Sequence, residues 1–436
     1  MLSAFTRAFR TPDLRKKILF TLGIMALFRV GSLTPTPGIS YSDVQACISS
    51  SDPSSGLLGI MNLFSGGALL QLSIFALGIM PYITASIIVQ LLTVVIPRFE
   101  ELKKEGQTGQ TKMTQYTRYL TIGLAILQSA TYVTYARNPS ALFGANCTSI
   151  MVDQNWWTLL LMVVTMTAGT GLVMWLGELI TDRGVGNGMS LLIFTSIVSG
   201  FPTAMWSGVA QNGANIGRFV LVLLVGVLIV AAVVFVEQST RRVPVQYAKR
   251  MVGRRMYGGT STYIPLKINM ANVIPVIFAS SLLQLPLMAA QFAGRTNPPS
   301  WAVWIETHLA RGDGPWYMAV FFVLIVFFTF FYVSITFNPE EVADNMKKYG
   351  GFIPGIRAGR PTAQYLDYVL TRLTVVGALY LGLLSLIPLV ALTTMGVGQN
   401  FPFGGTSLLI MVGVGLETVK QIESQLQQRH YEGFLR

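Results

Sequence analysis

Chemistry at a protein site needs side chains that can donate, accept or bind, and this sequence holds few of them. Two histidines and two cysteines are its whole stock of imidazole and thiol in 436 residues. His308 and His430 are far apart, as are Cys47 and Cys147, so no cluster has metal-ligand spacing. No Gly-Lys-Ser/Thr loop of the nucleotide-binding kind occurs. The Gly-rich stretch "DRGVGNGMS", Asp182 to Ser190, suggests a phosphate cradle at first sight, but it joins two apolar runs and not a strand and a helix. It reads as a tight turn. Arg29, Glu178, Glu237 and Glu417 all sit near the ends of apolar runs, whereas an ion-coupled carrier keeps such groups near mid-membrane. Both cysteines fall in loops on one side. A disulfide is open to them, although two thiols so distant in sequence are ordinarily unpaired. The expectation is a protein without catalysis, cofactor or metal.

The elements that must position everything else are apolar helices. Hydrophobic residues make up 52% and charged residues 11%, against about 25% charged in a soluble domain. Ten runs are long enough, or nearly so, to cross a bilayer. The class is an all-α polytopic membrane protein. Of the 31 Lys and Arg residues, Arg7 to Lys17, Arg98 to Arg118 and Arg241 to Lys267 lie on one side of these runs. The other side has only Arg137, Arg218, Arg295 and Arg311. The positive-inside rule places both termini in the cytoplasm. The net charge of +12 makes acidic partners plausible on that face, whether lipid headgroups, RNA or protein.

Two regions do not fit a simple bundle. Residues 56–92 form an uncharged stretch of 37, too long for one span of about 20 residues and too short for two. The span is expected from Ser73 to Ile96, leaving "GLLGIMNLFSGGALLQL" as a short helix that enters without crossing. Backbone at membrane depth must be enclosed by protein or water. Two cytoplasmic loops, at about 238–267 and 338–367, are also large. The first mixes Arg241, Arg242, Lys249 and Arg250 with a "VPVQY" stretch that reads as strand. The second has an amphipathic piece stopped by Gly350 and Gly351, then a Pro-Gly turn presenting Arg357. Such loops look built for docking, although Lys249 and Arg250 also fit a purely topogenic role.

An internal repeat organises the spans. "PYITASIIVQL" from Pro81 and "PVIFASSLLQL" from Pro275 share proline, isoleucine, alanine, serine, glutamine and leucine at equal offsets. They lie in spans two and seven. Five spans per half make the two copies cross in opposite directions, an inverted repeat with the site between halves 1–215 and 216–436. On that symmetry Ile79 and Ile83 face Ile277 across a constriction, and Gln90 and Gln284 lie along the seam between the halves.

At "FRVGSLTPTPGI", "NLFSGGAL", "ALGIMPYITASIIVQLL", "KKEGQTGQTKMTQYTRYLT", "ELITDRGVGNGMS", "RRVPVQYAKR", "NPEEVADNMKKYGGFIPGIR" and "FGGTSLLI", which cover nearly all of the chain in order, the sequence resembles the SecY family of protein-conducting channels. One departure is Arg357-Ala358-Gly359, where the family pattern is usually Arg-Pro-Gly. The resemblance implies a ten-helix pore in the bacterial cytoplasmic membrane that passes unfolded polypeptide and releases apolar segments sideways into lipid. It implies SecE and SecG subunits, the SecA motor ATPase, the ribosome and signal sequences as partners. It adds Ile193 and Ile410 to the isoleucine ring, makes Gln90 and Gln284 a lateral gate, and names the short entering helix the plug. That plug, at about 57–72, centres on Ile60, Met61, Asn62, Leu63, Phe64, Ser65, Gly66, Gly67, Ala68, Leu69 and Leu70. Composition alone leaves a second reading, a solute transporter with broken helices.

Overall fold

The structure, a computed structural model, describes residues 9, 11–50, 65–137, 139, 147, 149–211, 216–247, 250–252, 255–257, 261–292, 299–309, 314–395 and 405–432. Ile60 to Phe64 and Lys249 lie outside them.

The first half runs through α1 (Pro12–Leu33), α2 (Tyr41–Ser50), α3 (Met80–Val95), α4 (Pro97–Lys104), α5 (Gln107–Arg137), α6 (Trp156–Arg183) and α7 (Gly188–Gln211). The second holds α8 (Ile216–Gln238), β1 (Thr240–Tyr247), β2 (Arg250–Val252), β3 (Arg255–Tyr257) and β4 (Ser261–Lys267). It continues with α9 (Ile274–Phe292), α10 (Ser300–Leu309), α11 (Pro315–Thr336), α12 (Pro339–Lys348), β5 (Gly351–Phe352), α13 (Arg360–Met395) and α14 (Gly405–Glu432). Among the described residues, three stretches are long and apolar enough to cross a membrane alone: Trp156–Arg183, Pro315–Lys348 and Arg360–Ile387. Helices α3 and α4 pass the same test together but bend by 100° at their junction. Pro97 causes the bend: it drives Ile96 to an extended conformation and opens α4 at its first position.

Each spanning helix buries one stripe and turns the rest outward. On α6 the buried stripe is Met162, Met166, Gly169, Thr170, Val173, Leu176, Gly177 and Ile180, at helical spacing. Outward, Leu224, Val227, Leu228 and Phe235 on α8, and Val323 and Phe327 on α11, are exposed. A broad apolar exterior of this kind is a lipid-facing surface. Exposed Trp156 and Trp157 open α6 and Trp316 opens α11, matching an interfacial aromatic belt.

The described part of the stretch between α2 and α3, residues 65–79, departs from two expectations. Residues 65–79 are a succession of tight turns and not a helix, and the second span becomes helical only at Met80. Gly66, Gly67, Leu72 and Gly78 all take positive φ, which interrupts helical pairing. The freed groups are satisfied locally and from the chain after α1. Leu72 N–H donates to Leu69 O and Ser73 N–H to Ala68 O. Ile74 N–H donates to Thr34 O, and Thr36 N–H to Leu72 O. Close approach matters here: a Cβ on Gly169 of α6 would collide with the Ile74 carbonyl.

The pairing that the sequence left open is also settled: Cys47 and Cys147 are bonded to each other, with Cα atoms 5.5 Å apart. Backbone contacts bring them together. Ser40 N–H donates to Ile150 O and Val152 N–H to Gly38 O, so the segment before α2 lies along residues 150–152. The link closes a sequence separation of 100. We expect both thiols to resist maleimide in intact membranes until a reductant is added. Replacing both by Ser should lower stability by about 2–4 kcal/mol, read as a lower thermal midpoint in detergent. Free thiols in unreduced membranes would refute the bond.

Candidate functional site

Helices α3 and α9, which carry the repeated sequence, pack against each other, and beside them opens a cavity of about 670 Å³. Its walls come from α3 (Tyr82, Ile83, Ser86, Gln90), α5 (Gln110, Thr114, Arg118), α6 (Glu178, Thr181, Asp182), α7 (Ser190, Ile193), α9 (Ile274, Ile277, Phe278) and α11 (Tyr332). The cavity is polar where the ends of α5, α6 and α7 line it, and aliphatic where Ile83, Ile193 and Ile277 meet it. Three of the five expected ring residues therefore share one space. Ile79 and Ile410 do not line it; both are buried in the same apolar core, Ile410 completely and Ile79 at the N-cap of α3. Gln90 is half-buried at the cavity wall. Gln284 lies on α9, but its side chain is outside the described ones.

Sequence reasoning missed the main polar feature of this wall. Arg118 donates from Nε and Nη2 to Glu178 Oε1 and Oε2, at 2.8 and 2.7 Å, a bidentate fork. Spaced 60 residues apart on different helices, the two give no local signal. The turn after α6 is as tight as its glycines suggest. Gly186 has φ +91°, Thr181 Oγ1 accepts from Gly188 N–H, and Thr21 Oγ1 of α1 accepts from Val185 N–H.

The two large loops form one body, which the sequence did not reveal. β1 lies between β4 and β5 in an antiparallel sheet, with Gln246 opposite Phe352 and Tyr247 opposite Gly351. Beneath it Val243, Val245 and Leu266 of the first loop pack with Met346, Ile353, Leu366 and Val369 of the second. The "VPVQY" strand is as expected, with alternate residues buried. Helix α12 is held by its ends: Asn338 Oδ1 accepts from Glu340 N–H at 3.1 Å, and Gly350 stops it at φ +71°. Arg241, Arg242 and Arg357 are exposed on this body, with Arg242 over the Tyr263 ring at 4.8 Å. Arg250 lies on β2.

A helical membrane bundle that holds a polar-walled cavity lined on one side by aliphatic side chains belongs to the class of channels and carriers. The SecY family model matches residues 73–419, so the chain belongs to the SecY family. It is 65% identical, over the whole of both chains, to the protein translocase subunit SecY of Streptomyces scabiei, and 57% identical over the same extent to that of Mycobacterium bovis. Among solved structures it resembles a protein-conducting channel at TM-score 0.62 and 16% identity, covering 94% of this chain and 91% of that one. It also resembles a channel in a canine ribosome-channel complex from the endoplasmic reticulum, at TM-score 0.60, 16% identity and the same coverage.

The ion pair tests the cavity's wetness. Arg118 is 46% exposed in its side chain and Glu178 19%, so water screens the bond despite its geometry. A double-mutant cycle with Arg118→Gln and Glu178→Gln, read by thermal unfolding, should give a coupling of about 1 kcal/mol that shrinks as salt rises. A coupling above about 3 kcal/mol and insensitive to salt would mean the wall is dry.

Proposed function

We propose that this chain is the pore subunit of a bacterial translocon, in which ten membrane-crossing helices in two halves pass unfolded polypeptide across the cytoplasmic membrane and let apolar segments leave sideways. The observation that carries this is the cavity shared by the two halves, where Ile83 and Ile193 of the first meet Ile277 of the second. Branched aliphatic side chains offer water and ions no partner, so a narrow ring of them holds a dry barrier at rest. They also deform around a passing chain, because rotamer changes cost little beside the loss of a hydrogen bond. Ile79 and Ile410 back this ring from the core.

The lateral exit lies where α3 packs on α9, with Gln90 and Gln284 as the polar seam; an apolar signal helix wedged there replaces one apolar surface by another. Residues 60–70 act as a plug, and Gly66 and Gly67 give it the backbone freedom to move. Both termini lie in the cytoplasm, which agrees with the Lys and Arg asymmetry. It also puts the Cys47–Cys147 bond on the oxidising side, where disulfides persist.

SecE and SecG complete the pore in the membrane. The body made by the two loops takes SecA or the ribosome, with Arg241, Arg242, Lys249, Arg250 and Arg357 toward acidic side chains or RNA phosphates. A shared core ties β1 and β4 of the first loop to the second loop, so Arg241, Arg242 and Arg357 are presented on one body.

Changing Ile83 and Ile277 together to Ser should wet the barrier and raise resting ion leakage of the purified complex in a planar bilayer. Cysteines at 83 and 277 should cross-link at rest. A tight double variant with unlinked cysteines would place the pore elsewhere.

Docking has its own test. Arg357→Glu should reduce SecA-driven export about tenfold or more and flatten the salt dependence of SecA binding, with the inserted protein as stable as before. Unchanged binding at every salt concentration would remove Arg357 from the contact.

A further inference from the structure

Arg29 is a charged residue on a membrane helix, four positions before the end of α1, and charge in such a place needs a partner and a reason. Its partner is not a carboxylate among the described residues. Nη1 donates to the carbonyl of Gly66 at 2.6 Å, across 37 positions of sequence, and reaches Ser32 Oγ at 3.5 Å. Gly66 is buried and held on its other side as well. A Cβ there would lie 3.0 Å from Ser196 Cα and 3.2 Å from Ser199 Oγ of α7, so the glycine is seated directly on that helix. Its φ of +67° is one that a residue with a side chain takes only under strain. The end of the turn-rich segment is thus clasped between α1 and α7, and the one strong polar bond in the clasp comes from Arg29.

We propose that Arg29 is the latch of the closed channel, a positioning residue that holds the plug by the carbonyl of Gly66 and lets go only when water reaches it. The proposal rests on the reading of residues 60–70 as a plug. Arg29 is half-buried, and with no carboxylate beside it among the described residues its guanidinium depends on neutral dipoles for the part of its solvation that water does not supply. Moving Gly66 away while the site is dry strands the cation, which is costly. Moving it once the pore is wet exchanges the carbonyl for water at little cost. Release of the plug and hydration of the pore then become one cooperative event, so thermal fluctuation of the plug alone does not open a leak.

The test is small-ion leakage of the purified complex in proteoliposomes, measured in two backgrounds, the full chain and a deletion of residues 60–70. Arg29→Leu in the full chain should raise resting leakage roughly tenfold, the effect on the closed-to-open ratio of losing one charge-assisted bond. Arg29→Lys, which keeps a cationic donor, should restore most of the seal. In the deletion background Arg29→Leu should add nothing, because the latch has nothing to hold. A leaky deletion with a tight Arg29→Leu channel would overturn the latch and leave the plug standing; if neither leaks, both fall. An additive effect of the two changes, or failure of Arg29→Leu to accumulate in either background, would show that Arg29 supports the helix bundle and would also overturn the latch.

Discussion

Everything in this molecule answers to one constraint: a backbone amide or carbonyl within a hydrocarbon layer must find its partner inside the protein. Helices meet it automatically along their length. Residues 65–79 do not, since their turns leave peptide groups free, and the protein surrounds them to supply partners. The chain after α1 bonds to Leu72 and Ile74, α6 brings Gly169 against the Ile74 carbonyl, α7 lies under Gly66, and Arg29 caps the Gly66 carbonyl. An irregular segment so enclosed is held by α1, α6 and α7 before the chain enters α3.

That arrangement explains how one fold can combine a seal with a path. A bundle packed only for stability would fill its centre with interdigitating side chains. Here α3 and α9 meet edge to edge across the two halves, and the space beside them stays open, polar on one flank and aliphatic on the other. Such a space offers water partners on its polar flank and none beside Ile83, Ile193 and Ile277. Aromatic packing of Phe278 against Phe328 and Tyr332 ties α9 to α11.

Outside the membrane the same logic reverses. Water satisfies peptide groups freely, so the two loops could have been floppy, and it is their shared apolar core that makes them a single body. The β1–β5 pairing draws residues more than a hundred positions apart into one sheet. Lys103 adds a tie between the halves at this level, its Nζ donating to the Ile335 carbonyl near the end of α11 at 3.1 Å.

Much of this was legible in the chain by itself. Apolar run length set the membrane class, and Pro81 with Gln90 recurring as Pro275 with Gln284 marked α3 and α9 as a pair, which they are in space. Such features are local or periodic, and transfer free energy reads them one residue at a time. The tertiary structure decided the rest. Turns in place of a helix at 65–79, the Cys47–Cys147 bond, the Arg118–Glu178 fork, the clasp of Arg29 on Gly66 and the joining of the two loops each depend on residues distant in sequence. No propensity or period encodes such a pair, because the partner exists only once packing has brought two helices or two loops to within hydrogen-bond reach.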